Sequence, residues 1–130
     1  MALTQVKEED TFVETNQKTM FNFFSSKPKN YENLAAGPFH DLMTSAHSVV
    51  VDVRSAGEFS TGKLRGARNI DVMSPSFISQ IKNLPKDKTY LLYCRSGNRS
   101  AQACEILARE GFQQIKNLEG GLMRWPFEKV

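Results

Sequence analysis

Cys94 closes the apolar run Tyr90–Cys94 and is followed by Arg95-Ser96-Gly97-Asn98-Arg99-Ser100, after which helical periodicity begins. A sulfur nucleophile is thus the first residue of a short polar loop between a strand and a helix, and several effects there act in one direction. Gly97 and Asn98 tolerate positive φ, so the loop can curl and turn successive backbone N–H groups inward as an anion nest. The helix starting near Ser100 adds unpaired N–H donors and the positive end of its dipole. Arg95 and Arg99 supply fixed charge with forked donors matched to tetrahedral oxyanions. Each effect favours thiolate over thiol, and the thiolate is the nucleophile. An isolated cysteine ending an apolar strand is ordinarily a small buried hydrophobe. Two arginines, a glycine and a helix start within six residues favour a reactive thiol instead. The other cysteine, Cys104, shares the apolar face of the following helix with Ala103, Leu107 and Ala108, and is expected to pack in the core.

Positioning such a loop requires a buried strand before it and a docked helix after it. Ser48–Asp52 and Thr89–Cys94 are short, continuous and rich in β-branched or aromatic residues, as strands buried on both faces are. Ile115–Leu118 and Ala67–Ile70 are weaker strand candidates. Helical patterns fall at 39–46, 75–84 and 99–110, the last ended by Gly111 in a C-cap position. Strands alternating with helices predict a parallel α/β sheet, in which ligands bind beyond the carboxyl ends of the strands.

The chain has 130 residues, 40% hydrophobic and 24% charged, which suits one globular domain and excludes a disordered chain. An apolar run of five residues is far too short to span a bilayer. No basic n-region with an apolar stretch opens the chain, so no secretory signal is read and a cytoplasmic location is expected. Two cysteines make no disulfide framework. The net charge of +3 is too small to imply a nucleic-acid partner, and residues 1–29 hold four lysines against four acids, so the whole excess belongs to residues 30–130. Two prolines, a glycine and two asparagines in 27–38 divide an N-terminal extension, 1–29, from a domain over 30–130. In the extension, Thr11 and Glu14 have capping-box spacing, with Val13, Met20, Phe21 and Phe24 on one face of a helix after them; a poorly ordered arm is the equal alternative. A Met20/Phe21/Phe23/Phe24 cluster there would suit a dimer or membrane-surface contact.

Four segments then carry a resemblance. Val51-Asp52-Val53-Arg54-Ser55-Ala56-Gly57-Glu58-Phe59, Gly62-Lys63-Leu64-Arg65-Gly66-Ala67-Arg68-Asn69-Ile70, Cys94 through Ser100, and Leu118-Glu119-Gly120-Gly121-Leu122-Met123-Arg124-Trp125 together resemble a single-domain rhodanese, a thiosulfate sulfurtransferase-like protein, over about residues 30–127. The resemblance implies a five-stranded, mostly parallel sheet with helices on both faces, and a cysteine cycling between thiolate and persulfide. It assigns Cys94 as sulfur acceptor and Arg95, Ser96, Gly97, Asn98, Arg99 and Ser100 as the active-site loop. Asp52, Arg54 and Glu58 match a mainly architectural motif, in which Arg54 and Glu58, four apart, have the spacing of an ion pair. Gly120, Gly121 and the supporting residue Trp125 match the C-terminal motif, which in the family packs near the loop; by its residue type Trp125 is more often core than pocket. Where the family commonly has His-Ile-Pro-Gly-Ala, this chain has Lys63-Leu64-Arg65-Gly66-Ala67. Lys63, Arg65 and Arg68 would enlarge the positive field around Cys94 if that segment lies beside the loop; a solvated basic turn is the alternative.

The expected activity is transfer of sulfane sulfur from thiosulfate or another anionic donor to a thiol, cyanide or a protein cysteine. No metal and no organic cofactor is required. Two rivals remain. A cysteine-dependent phosphatase or arsenate reductase uses the same thiolate, nest and arginine, but its loop places five residues between cysteine and arginine, against four here, and carries histidine where Tyr93 stands. A non-catalytic rhodanese-like binding module is the other, and such relatives typically lack the cysteine.

Overall fold

The computed structural model describes residues 30–130; the helix and the aromatic cluster expected within 1–29 lie outside the described residues. Five strands form one sheet: β1 (Glu32–Leu34), β2 (Ser48–Asp52), β3 (Arg68–Asn69), β4 (Thr89–Tyr93) and β5 (Gln114–Leu118). Their order is β1-β5-β4-β2-β3, and every pairing is parallel. The helices are α1 (Ala36–Leu42), α2 (Ala56–Ser60), α3 (Phe77–Ile81) and α4 (Asn98–Arg109), followed by a 3-10 turn over Gly121–Arg124.

β4 is central, and its apolarity follows from that place. Tyr90 and Leu92 face a core shared with Phe77 and Ile81 of α3 and Ala103, Cys104 and Leu107 of α4. Leu91 and Tyr93 face a second core with Phe39 of α1, Leu64 and Trp125. Period-two alternation therefore sends apolar side chains to both faces, which writes a continuous apolar run rather than an alternating one. The register Val51↔Leu92 and Leu92↔Asn117 levels the ends of β2, β4 and β5, so the segments leaving them share one edge.

Three differences from the sequence-based expectation have physical causes. β1 lies inside the stretch assigned to a linker, 27–38. Its residues, Glu-Asn-Leu, form a three-residue edge strand with no apolar signature. Helix α1 begins at Ala36 and ends at Leu42 rather than spanning 39–46. Gly37 and Pro38, which read as loop punctuation, sit in its first turn, where a missing N–H is harmless. The five-residue α2 was absent from the expected elements, although Ser55 and Glu58 form a full capping box.

Candidate active site

Cys94 follows β4 directly, and the chain then turns through Arg95, Ser96 and Gly97 into α4. Gly97 takes φ 102°, a left-handed conformation, and serves as the helix N-cap. A side chain there would be strained on two counts, since a Cβ would stand 3.3 Å from Gly120 N and 3.4 Å from Leu118 O. The turn aims three donors at one atom. Cys94 Sγ accepts from Gly97 N at 3.1 Å, from Ser100 N at 3.4 Å and from Ser100 Oγ at 3.4 Å. Burial alone would push this thiol up. The Ser100 hydroxyl and amide, with the Gly97 and Ser96 amides, outweigh it and hold the thiol below its ordinary value. Cys94 is 1% exposed, so its sulfur is sheltered within the curl of the loop.

The loop is held from outside by the 3-10 turn. Leu122 N donates to Cys94 O and Met123 N to Arg95 O, each at 3.0 Å. Gly121, at φ 60°, packs so closely that a Cβ would stand 2.7 Å from Cys94 O and collide with Arg95 O. From β5, the buried Asn117 Nδ2 reaches Gly97 O at 3.5 Å and Asn33 Oδ1 at 2.9 Å. The nest is thus bounded by β4, α4 and the Gly120-Gly121 turn.

The acidic and basic residues sort differently from their spacing. Arg54 does not pair with Glu58. Its Nη2 meets Asp52 Oδ2 at 2.6 Å and Gly62 O at 2.6 Å, while its backbone N donates to Asp52 Oδ1 at 2.9 Å. Asp52 is wholly buried and Arg54 6% exposed, so this pair ties the end of β2 to the 62–70 connection rather than to the thiol. Glu58 instead takes Arg99 in a bidentate fork, Nη1 to Oε1 at 2.8 Å and Nη2 to Oε2 at 3.0 Å. The helix pitch explains the exchange: Glu58 at N3 of α2 is turned toward its cap, Ser55, whose N and Oγ both donate to Oε1. The Arg99 fork, helped by Ser55 against the effect of burial, holds the Glu58 carboxyl down at about 2.

Arg95 is exposed at the mouth of the loop and Asn98 is exposed on the first turn of α4. Lys63 lies over the Phe59 ring at 5.0 Å, and its backbone pairs with Val130. Arg65 pairs with Glu128 at 2.8 Å. Arg68 stands in β3 opposite Val51, below the strand ends. Trp125 is 8% exposed and packs edge-on to Phe39, with Nε1 donating to Glu128 O, on the face of the sheet holding α1. Cys104 is fully buried in the α4 core, and burial pushes its thiol far up. Among the described residues no helix is long and apolar enough to cross a membrane.

The sequence that builds this loop, at the carboxyl end of the central strand of an all-parallel sheet, matches a known family. The rhodanese-like domain family matches residues 35–127. The chain belongs to the rhodanese-like family. A sulfurtransferase of Allochromatium vinosum is 37% identical over 78 residues, which are 59% of this chain and 70% of that protein. A tRNA uridine(34) hydroxylase of Bacillus pumilus is 33% identical over 98 residues, 72% of this chain but 30% of that protein, so the chain corresponds to a part of the hydroxylase. Among solved structures, a rhodanese-related protein of Thermoplasma volcanium superposes with a TM-score of 0.68 at 29% identity, over 77% of this chain and 98% of that one. The five-stranded parallel sheet with flanking helices is therefore the rhodanese-like fold expected from the motifs. The signal missed in the sequence was the cap at Ser55, which diverts Glu58 to Arg99; Gly121, part of the C-terminal motif expected near the loop, lets the 3-10 turn reach it by its missing Cβ.

Proposed function

We propose that this rhodanese-like chain is a sulfurtransferase whose nucleophile is Cys94 and whose donor is thiosulfate or a similar anionic carrier of sulfane sulfur. The observation that carries this reading is the convergence of the Gly97 N–H, Ser100 N–H and Ser100 Oγ on Cys94 Sγ. Because those donors favour the ionised sulfur, no separate base is needed. The thiolate attacks the outer sulfur of thiosulfate; the Cys94–sulfur bond forms as the sulfur–sulfonate bond breaks, and sulfite leaves with the bonding pair. The terminal sulfur of the persulfide carries the negative charge, which the same preorganised donors stabilise. A cyanide, thiol or protein-cysteine acceptor then attacks that terminal sulfur, the S–S bond breaks, and the Cys94 thiolate returns.

Asp52 and Arg54 act at one remove, fixing the end of β2. Glu58, through Arg99, ties α2 to the first turn of α4. The six-residue loop, Arg95 through Ser100, supplies the donors that a sulfur anion needs, with four residues between Cys94 and Arg99. Thiosulfate treatment of the purified chain should add one sulfur atom to the peptide holding Cys94 in its intact mass. Cys94→Ser should abolish thiosulfate:cyanide transfer with the thermal melt unchanged. Turnover surviving in Cys94→Ser would overturn the reading.

A further inference from the structure

Arg99, the loop arginine, is committed on both nitrogens to Glu58, and of the basic segment Lys63 covers Phe59 and Arg65 holds Glu128. The charges of Arg99 and Arg65 are thus answered by carboxylates before any anion arrives. Three other guanidinium groups, those of Arg68, Arg95 and Arg124, are in the opposite condition, but Arg68 stands in β3 opposite Val51, below the strand ends. Arg95 and Arg124 are both exposed, and neither meets a carboxylate among the described residues. Arg124 closes the 3-10 turn whose backbone grips Cys94 O and Arg95 O. Its stem is folded back on that turn, for a Cβ on Gly120 would stand 2.6 Å from Arg124 Cδ and 3.1 Å from its Cγ. Gly120 N in turn packs against Gly97, the residue whose amide binds Cys94 Sγ. An arginine stem laid over glycine beside the nest anchors the base of an exposed, unanswered charge at the edge of the loop.

We infer that Arg124, laid over Gly120, forms with Arg95 an oxyanion subsite outside the Cys94 loop, which receives the sulfonate end of an anionic sulfur donor. This rests on the sulfurtransferase reading for its ligand, but the charge arrangement can be measured without it. A unit charge about 6 Å away in water-like dielectric changes binding of a monovalent anion about threefold and of a divalent one about tenfold.

The full-length chain is alkylated at Cys94 with iodoacetate, an anion, and with neutral iodoacetamide, and the ratio of the two rates is compared among wild type, Arg124→Ala, Arg124→Lys and Arg95→Ala. The ratio should fall about threefold in Arg124→Ala and in Arg95→Ala, and recover in Arg124→Lys. The wild-type ratio should itself fall toward that of the variants at 1 M salt, where the Debye length is about 3 Å. The KM for thiosulfate should rise up to about tenfold in Arg124→Ala. An unchanged alkylation ratio in Arg124→Ala, or an equal fall for both reagents, overturns the subsite. If wild type transfers no sulfur from thiosulfate, the sulfurtransferase reading fails while the alkylation ratio still decides the subsite.

Discussion

Ser100→Ala is the sharpest perturbation of the proposed chemistry, because it removes one donor and little else. Ser100 is wholly buried, and its hydroxyl meets Cys94 Sγ at 3.4 Å and no other described partner. Its amide stays in place, as does Gly97 N. A hydrogen bond to a charged group contributes about 1.5–3 kcal/mol, and a contact to sulfur at this length belongs near the lower end. That corresponds to a rise of about one unit in the thiol pKa. Thiolate nucleophilicity rises with pKa at a slope of about 0.4–0.5, so the variant thiolate should be intrinsically about threefold faster. Below both pKa values the thiolate fraction falls about tenfold, giving a net rate about threefold slower; above both, the variant should be about threefold faster. The two pH profiles of iodoacetamide capture must therefore cross. Melting should shift by less than about 1 kcal/mol, since the lost hydroxyl leaves no orphaned backbone donor. Superimposed profiles, or a variant slower at every pH, would refute the claim that this hydroxyl helps set the thiol's ionisation.

Glu58→Gln should act on stability more than on the thiol. The Glu58 carboxyl titrates at about 2 in the folded chain, below the unfolded value near 4.3, so its contribution is present above about pH 4.5 and is lost as pH falls through 2. With Glu58 about 35% exposed, solvent screening limits that contribution to about 1 kcal/mol, and thermal melts of Glu58→Gln should show a flatter acid limb than wild type. Gly121→Ala should destabilise by about 3 kcal/mol in urea titrations, because a Cβ at φ 60° meets the Cys94 and Arg95 carbonyls. Alkylation of the native chain should label one cysteine only, and Cys104→Ala should leave that stoichiometry unchanged, since burial keeps the Cys104 thiol protonated; two labels on the native chain would contradict its place in the core.

What could be read from sequence divides along physical lines. β2, β4 and α4 were legible because their burial is written in composition: Ser48–Asp52 was expected with its observed bounds, and the 99–110 helix differs from Asn98–Arg109 by one residue at each end. The strand–Cys94–loop–helix unit was legible for the same reason, its glycine and helix start being local signals. β1 was not, since an edge strand of three residues pairs with β5 through its backbone while its side chains carry no apolar pattern. Nor was the pairing of charges. Arg54 and Glu58 have i,i+4 spacing, but that spacing describes one continuous helix, and Arg54 precedes the N-cap Ser55. Outside the helix, Arg54 turns to Asp52 two residues back, and Glu58 is left to the arginine 41 residues further along the chain.

That exchange changes what the loop arginine does. An arginine at N2 of α4 stands near the positive end of the helix dipole, an unfavourable place for a cation unless a carboxylate answers it. Glu58 supplies the answer at the N-terminus of a second helix, where its own charge is favoured by α2. Glu58 thus relieves α4 of an unfavourably placed cation, and the fork clamps α2 to the start of α4. Thiolate stabilisation then falls to neutral donors, the amides of Gly97 and Ser100 and one hydroxyl, which sit in contact with sulfur and are not screened by salt as a surface charge is. The consequence is a separation in the response to ionic strength. Added salt should leave the pH midpoint of Cys94 alkylation by a neutral reagent where it is, because the donors that lower it are neutral and the loop arginine Arg99 is already paired with Glu58. Capture of an anionic reagent, which depends on Arg95 and Arg124, should weaken steadily with salt. A midpoint that climbs with salt in parallel with the loss of anion capture would mean that free arginine charge, and not the nest, is what ionises Cys94.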